Sequence, residues 1–374
     1  MARGRIAILG RGEHVQFRLE KRPKPSQAAL YLAPALSVLL TMLVGALLFS
    51  ALGYDGIGAV LEIFTRPITN PLKWQDLGVK AAPLIIIAVG LSIAYRANVW
   101  NIGAEGQYVA GALGGTAVVL FTMKLQGPWI LPTMLVCGVL AGMALAAIPA
   151  FLKTRFEVNE ILTTLMLNYA IVQLLYYLLR TSWKDPMAFG FPRTSLFTAS
   201  QSLPYLWPGT ILHWGVPIAL TVAMIAFFVM GRSVFGFQVR VVGSAPNAAR
   251  HGGFSANGTV WLVMLVSGGL AGLAGVLEAA GPFRQLVPAF PTGYGFTAII
   301  VAFLGRLNPF GCVIAGLVLA ISYVGGEVAQ TTLGLPSAAT GIFQGMLLFF
   351  LLAGDVFVRY RIRSTSARVA GGAT

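Results

Sequence analysis

Charged side chains are scarce along this chain. They make up 10% of its 374 residues, whereas hydrophobic residues make up 57%; soluble domains carry about 25% charged residues. This shortage argues against a soluble globular protein. Apolar runs of about 18 to 25 residues recur along nearly the whole chain, and each is long enough to cross about 30 Å of hydrocarbon as a helix. The runs are continuous rather than alternating, which argues against a membrane β-barrel.

Cysteine and histidine are rare as well. Cys137 and Cys312 lie inside apolar runs without metal-ligand spacing, so we interpret them as small buried hydrophobic residues. The three histidines are scattered, and the sequence has no phosphate-binding loop, zinc-protease motif or nucleophile elbow. We therefore expect a protein that is not an enzyme, holds no metal and binds no cofactor itself.

The apolar runs predict an all-α, polytopic helical membrane protein with about ten transmembrane helices. The predicted spans are 28–52, 77–95, 102–123, 129–152, 159–179, 213–231, 257–280, 286–304, 309–331 and 336–357. Ten crossings place both termini on the same side of the membrane.

The net charge of +14 indicates topology rather than nucleic-acid binding, because the basic residues are spread over the ends of apolar runs. With the termini assigned to the cytoplasm, 18 lysines and arginines fall inside and eight outside. The positive-inside rule therefore predicts cytoplasmic termini. The resulting organisation is a basic cytoplasmic segment 1–27, a transmembrane domain 28–357 and a basic cytoplasmic tail 358–374.

Two connections are long. The outer one, about 180–212, is rich in proline and aromatic residues, and we expect it to pack as a lid or docking surface. The inner one, about 232–256, contains a turn and a short helix near Asn247–Arg250, followed by Gly252 and Gly253. Glycine-rich breaks near residues 98–115 and 291–311 also suggest two related halves, a common transporter pattern.

Polar residues cluster within two of the predicted spans. An unpaired polar group in hydrocarbon costs several kcal/mol, so these side chains must pair with each other or line a path for solute. On a helix, Glu160, Thr164 and Asn168 share one face, as do Asn101 and Glu105. Both interpretations stay open at this point, as they do for Glu278 and Glu327.

Four stretches resemble the signature motifs of permease subunits of ABC importers. They are RANVWNIGAEGQ (96–107), FEVNEILTTLMLNYA (156–170), VVGSAPNAARHGGF (241–254) and GYGFTAIIVAFLGRLNPFG (293–311). The chain is similar to the branched-chain amino acid and simple-sugar permease superfamily, and to its nucleoside branch, which works with a lipoprotein of the basic membrane protein type.

The resemblance implies an inner-membrane permease with several partners. These are ABC ATPase subunits that use ATP and Mg²⁺, a second permease that differs from this one, an extracytoplasmic solute-binding lipoprotein, and membrane lipids. It also implies that the inner loop contacts the ATPase. The candidate contacts are Gly243, Ala248, Ala249 and Arg250.

The resemblance further implies a solute path through the permease core. The candidate pathway residues are Asn98, Asn101, Glu105, Gln107, Glu160, Thr164 and Asn168. The expected function is ATP-driven import of a small polar solute, a purine or pyrimidine nucleoside above all. The alternatives are simple sugars, branched-chain amino acids, or an ion-coupled transporter that uses Glu278 and Glu327.

Overall fold

The computed structural model describes residues 15–21, 27–336 and 338–366. The helices are α1 (Gln27–Ala51), α2 (Gly56–Thr69), α3 (Lys73–Arg96), α4 (Ala104–Phe121), α5 (Ile130–Phe156), α6 (Glu160–Arg180), α7 (Gly215–Arg232), α8 (Val234–Ser244), α9 (Pro246–His251), α10 (Ala256–Glu278), α11 (Tyr294–Leu304), α12 (Pro309–Leu333) and α13 (Ala338–Arg359). A π-helical turn, Ala279–Phe283, continues α10.

Two short strands lie near the ends of the chain. Strand β1 (Val15–Lys21) pairs antiparallel with β2 (Tyr360–Ser366), with Val15 opposite Ser366. The sequence analysis predicted no strand in these basic segments. The rest of predicted segments 1–27 and 358–374, namely 1–14, 22–26 and 367–374, lies outside the described residues.

The predicted helical membrane architecture is confirmed. Within the described residues, seven helices are long and apolar enough to cross a membrane. They coincide with the predicted spans at 28–52, 77–95, 129–152, 159–179, 213–231, 257–280 and 309–331 to within a few residues. Predicted spans 102–123 and 336–357 correspond to α4 and α13.

The prediction of a continuous span at 286–304 is wrong. Helix α11 has only 11 residues, which is about 16 Å and half the thickness of the hydrocarbon core. Residues 284–293 form an irregular segment before it. Pro288 and Pro291 lack the amide hydrogen that a helix needs, and Gly293 has a left-handed φ of 81°. We call α11 the half-helix.

Helix α2 was also missed by the sequence analysis. Asp55 caps its first turn, because the Asp55 carboxylate accepts the Gly58 amide at 3.0 Å. It buries Ala59 and Ile63 while exposing Leu61. The helix has 14 residues, which is too short for a predicted transmembrane span. Its buried face packs on α12, where a side chain at Gly325 would collide with the Ile63 carbonyl.

The centre of the bundle is formed by α3, α4, α5 and α10. Helix α3 is the most enclosed of the candidate spans, at 83% buried. A Cβ atom on Gly111 would strike Gly272, and one on Gly142 would strike the Gly268 carbonyl. Glycines thus let α4, α5 and α10 approach to backbone contact.

Candidate functional site

The first component of the site is the break between α3 and α4. After α3 ends at Arg96, residues 97–103 leave the helix, and Asn98 adopts a left-handed φ of 57°. Asparagine tolerates this conformation better than most residues do. The Tyr95 hydroxyl donates to the Asn101 carbonyl at 3.0 Å, and the Trp100 indole donates to the Asn98 side chain at 3.3 Å. Asn98 itself is exposed.

Asn101 is fully buried and has several hydrogen-bond partners. Its Nδ2 donates to Gln107 Oε1 at 2.8 Å and to Ser267 Oγ at 3.0 Å, at the middle of α10. Its Oδ1 accepts from Gln107 Nε2 at 3.1 Å and from the Gly103 amide at 3.0 Å. The pair Asn101–Gln107 therefore locks the start of α4 against α10.

The predicted polar face of α6 lies against the same break. The Asn168 side chain accepts the Gly106 amide at 2.8 Å and donates to the Ile102 carbonyl at 2.9 Å. The Thr164 hydroxyl accepts the Ile102 amide at 3.2 Å. These two side chains replace the hydrogen bonds that the broken helix cannot make for itself.

Glu160 occupies the last position of that face. It forms an ion pair with Lys153 of α5 and accepts the Trp100 amide at 3.4 Å. Six of the seven candidate pathway residues are thus buried. Five of them, all but Glu105, are bonded to one another or to the α3–α4 break.

Glu105 connects this network to the second break in the fold. Its carboxylate is 3% exposed and accepts the amides of Gly293 at 2.9 Å and Gly295 at 2.6 Å. These amides belong to the first turn of the half-helix, where backbone donors lack helical partners and the helix dipole favours negative charge. A side chain at Gly295 would collide with the Glu105 backbone, so the two helix starts meet because Gly295 is a glycine.

A cavity of about 390 Å³ lies beside the first residues of the half-helix. This volume falls within the range of about 300–1,000 Å³ that is typical of small-molecule sites. The lining residues come from α3, the 284–293 segment, α11, α12 and α13: Lys80, Thr292, Tyr294, Tyr323, Glu327, Gln330, Gly341 and Gln344. Lys80 Nζ and the Glu327 carboxylate pair at 2.9 Å.

Most of this cavity was not predicted from the sequence. Glu327 was among the candidate residues, but Lys80, Tyr323 and Gln344 were not. Each of these residues is polar and lies within an otherwise apolar helix. A polar residue in such a run is the sequence feature that could have identified it as a candidate site residue. What the sequence does not show is that α3, α12 and α13 converge on the half-helix.

The outer loop packs on the 280–286 region. The Leu203 amide donates to the Ala280 carbonyl at 2.8 Å, and the Phe197 amide donates to the Arg284 carbonyl at 2.8 Å. Thr194 exchanges two hydrogen bonds with the backbone of Leu286. The loop therefore supplies partners to the broken end of α10, while Phe189 on the same loop is 94% exposed.

His213 closes this loop. It is 2% exposed, its Nδ1 accepts the Gly215 amide at 3.1 Å, and its ring lies against Gly281. Burial lowers the pKa of His213 from 6.5 to about 4. The imidazole is therefore neutral at neutral pH and carries its proton on Nε2.

The candidate ATPase contacts divide into two groups. Gly243 packs against the Arg96 carbonyl at the end of α3, and Ala249 is fully buried. Ala248 and Arg250 are exposed on α9. Only these two of the four present a side chain at the surface, while the other two seat α8 and α9 on the bundle.

Comparison with known proteins agrees with this architecture. The chain is 34% identical to the glucose ABC transporter permease protein TsgB13 of Haloferax volcanii, over 93% of this chain and 94% of that one. It is 30% identical to the guanosine ABC transporter permease protein NupP of Bacillus subtilis, over 88% and 94%. It is 26% identical to the nucleoside ABC transporter permease protein NupB of Lactococcus lactis, over 86% and 90%.

Residues 75–352 match the family described as branched-chain amino acid transport system, permease component. This range contains both helix breaks, the cavity and the α8–α9 segment. The chain therefore belongs to that family and is a permease subunit of an ABC transporter.

Proposed function

We propose that this permease imports a nucleoside into the cytoplasm. The observation that carries the proposal is the cavity beside the half-helix. Its lining supplies hydroxyl, amide and aromatic groups, and its lysine and glutamate neutralise each other. Such a lining suits an uncharged solute with many hydrogen-bonding groups better than an ion.

In this proposal the energy comes from partner subunits. A separate ATPase binds ATP and Mg²⁺, a second permease completes the pathway, and a solute-binding lipoprotein delivers the nucleoside from outside. The chain lies in the inner membrane with both termini in the cytoplasm. The exposed Ala248 and Arg250 contact the ATPase, whose motion shifts the permease between outward-open and inward-open states.

Simple sugars form the second candidate class. The relative TsgB13 is named as a glucose permease and is 34% identical to this chain, whereas the relatives named for guanosine and nucleosides are 30% and 26% identical. A hexose and the ribose of a nucleoside share the hydroxyl groups that the cavity could bind.

The test is uptake by the complete transporter in proteoliposomes. We expect uptake of radiolabelled guanosine that requires ATP, the ATPase and the binding lipoprotein, and that excess glucose does not reduce. ATP-dependent glucose uptake without guanosine uptake would replace the nucleoside assignment by the sugar one. Uptake that proceeds without ATP, and that is lost when Glu278 and Glu327 are both replaced by glutamine, would indicate an ion-coupled transporter instead.

The pathway role of the seven candidate residues is a separate proposal. In a variant without native cysteines, Asn98→Cys, Asn101→Cys and Glu105→Cys should react with a small polar thiol reagent in one transport state. Asn98 is exposed and serves as the accessible reference. Protection of position 101 in every state would assign Asn101 to helix packing alone, in line with its four hydrogen bonds.

A further inference from the structure

The two strands near the ends of the chain start from neighbouring helix ends. Helix α1 packs on α13, and the Ser37 hydroxyl, in the first half of α1, donates to the Phe350 carbonyl, in the last half of α13, at 3.0 Å. The start of α1 therefore lies beside the end of α13. Strand β1 precedes α1, and β2 follows α13 directly. The two paired strands, which we call the terminal ribbon, thus lie where these two apolar helices end, close to the membrane surface.

The pairing register gives the terminal ribbon two unlike faces. Alternate residues of a strand share a face, and the register joins the faces of the two strands. The first face is mainly apolar and carries Val15, Phe17, Leu19, Lys21, Tyr360, Ile362, Ser364 and Ser366. The second face is mainly basic and carries Gln16, Arg18, Glu20, Arg361, Arg363 and Thr365. Two strands alone are marginally stable in water, so the ribbon gains stability from a surface against its apolar face.

The basic face favours an anionic partner. Arg18 is directly opposite Arg363, and Glu20 is opposite Arg361. Like charges directly opposite each other destabilise a strand pair, and Glu20 compensates only one of the three arginines. The adjoining residues 21–26 and 356–360 contain four more basic residues and no acidic one: Lys21, Arg22, Lys24 and Arg359. An anion from outside the ribbon would relieve this repulsion.

We propose that the terminal ribbon is a membrane-surface anchor that binds the headgroups of anionic phospholipids. Its apolar face lies at the boundary between headgroups and acyl chains, and Arg18, Arg361 and Arg363 lie at the level of the lipid phosphates. Arginine suits this ligand because its guanidinium can donate two hydrogen bonds to one phosphate. A bilayer is the partner because both strands are joined to membrane helices, which keep the ribbon at the membrane surface.

The choice of leaflet rests on the orientation proposed above, in which the termini are cytoplasmic and the ribbon binds the inner leaflet. The binding of lipid depends neither on that orientation nor on the solute that the permease transports.

The test is amide hydrogen exchange of the full chain in nanodiscs, followed by mass spectrometry of peptides that cover Val15–Lys21 and Tyr360–Ser366. Discs of phosphatidylcholine are compared with discs that also contain phosphatidylglycerol. Each basic residue near an anionic surface strengthens binding about fivefold. We therefore expect both peptides to exchange at least about tenfold more slowly in the anionic discs. About 1 M sodium chloride should remove most of this difference, because it shortens the screening length to about 3 Å.

Two triple variants examine the basic face. Replacing Arg18, Arg361 and Arg363 together by glutamine should abolish the difference between the two kinds of disc. Replacing the same three residues by lysine keeps the charge and should retain most of the difference. A defect in folding would affect exchange in both kinds of disc and is thereby distinguished from a loss of lipid binding.

A matched control removes three positive charges elsewhere. Arg155, Arg180 and Lys184 are exposed positions on α5, at the end of α6 and in the outer loop. Replacing them together by glutamine changes the net charge by the same amount as the first variant does. We expect this control to keep the slow exchange of the ribbon in anionic discs.

Equal exchange of the wild type in the two kinds of disc would overturn the proposal, and so would a control variant that behaves like the first variant. Slow exchange in phosphatidylcholine discs after addition of soluble glycerol phosphate would replace the lipid by a free phosphate. Slow exchange that requires the ATPase subunits would replace it by a protein interface. Because no solute is present in these measurements, they leave the proposed transport function to the uptake test.

Discussion

At the scale of single residues, the two helix breaks depend on a few side chains that act as substitutes for backbone. Glu105 takes the place of the missing turn before the half-helix, and Asn168 takes the place of the missing turn before α4. Glu105 satisfies two backbone amides, and Asn168 satisfies one amide and one carbonyl; these groups would otherwise be unpaired at membrane depth.

Replacing Glu105 tests this role. Glu105→Gln keeps one acceptor oxygen but presents an NH₂ group to the second amide, so one of the two charge-assisted hydrogen bonds is lost. We expect a destabilisation of about 1.5–3 kcal/mol, measured as a lower melting temperature of the purified protein. Glu105→Ala, which removes both acceptors, should be less stable still.

The control for this change is Glu62→Gln. Glu62 pairs with Arg66 on the exposed side of α2, and such pairs contribute about 0–1 kcal/mol. A melting temperature that falls equally in Glu62→Gln and Glu105→Gln would contradict the role of Glu105 as a cap.

His213 gives the outer loop a dependence on pH. Its pKa in the folded protein is about 4 instead of 6.5 because of burial, so below pH 6.5 the unfolded chain binds a proton that the folded one does not. Stability is therefore complete above pH 6.5 and falls as the pH decreases toward 4. His213→Asn keeps an acceptor for the Gly215 amide and does not titrate. We expect its melting temperature to decrease less than that of the wild type between pH 7 and pH 5, and parallel pH curves would contradict the assignment.

At the scale of elements, the close contact of α4, α5 and α10 sets the geometry of both breaks. A Cβ atom on Gly272 would collide with the Gly138 carbonyl, and one on Gly275 with the Tyr108 carbonyl. These backbone contacts fix the position of α4 along α10. They therefore also fix the position of Glu105 at the start of the half-helix.

The glycine contacts predict the effect of one added methyl group. Gly272→Ala should force α10 away from α5 and cost about 1–3 kcal/mol, as overpacking does. Gly231→Ala is the control, because nothing lies within 4 Å of the added Cβ atom at the end of α7. Thermal unfolding of both variants checks this prediction. Equal melting temperatures for Gly272→Ala and Gly231→Ala would contradict it.

The continuous apolar runs were enough to place most helices, because a helix that must satisfy its own backbone in lipid leaves a long hydrophobic signature. They were not enough at residues 284–293. There Val287, Phe290 and their neighbours are apolar, yet the outer loop supplies the hydrogen bonds that make irregular backbone possible. The sequence likewise placed Glu105 in a polar cluster but could not show that its partners, Gly293 and Gly295, lie 188 and 190 residues away.

At the scale of the whole molecule, the proposed ATPase contact on α9 is connected to the core of the bundle. Helix α9 exposes Arg250 next to α8, whose Gly243 touches the end of α3. The α3–α4 break follows directly. If the proposed ATPase contacts α9, its motion would reach the break through these backbone contacts rather than through long flexible side chains.

Reversing the charge at Arg250 tests this connection. If Arg250 pairs with an acidic group of the ATPase, Arg250→Glu should weaken assembly of the complex or abolish the stimulation of ATPase activity by loaded binding protein. Arg155→Glu, on the exposed end of α5, is the control for the loss of a cytoplasmic positive charge. Normal assembly together with normal stimulation in Arg250→Glu would remove Arg250 from the interface.

The bond between Glu105 and the half-helix has one more consequence. The Gly293 and Gly295 amides donate to Glu105 while α4 and α11 stay together, and we expect these hydrogen bonds to slow their exchange with water. The rate of deuterium uptake at these amides therefore reports whether the two helix starts are in contact. We expect slow exchange in a resting transporter and faster exchange in any step of the cycle that separates them. A peptide that begins at least two residues before Gly293 and extends past Gly295 would report that step by mass spectrometry without any mutation.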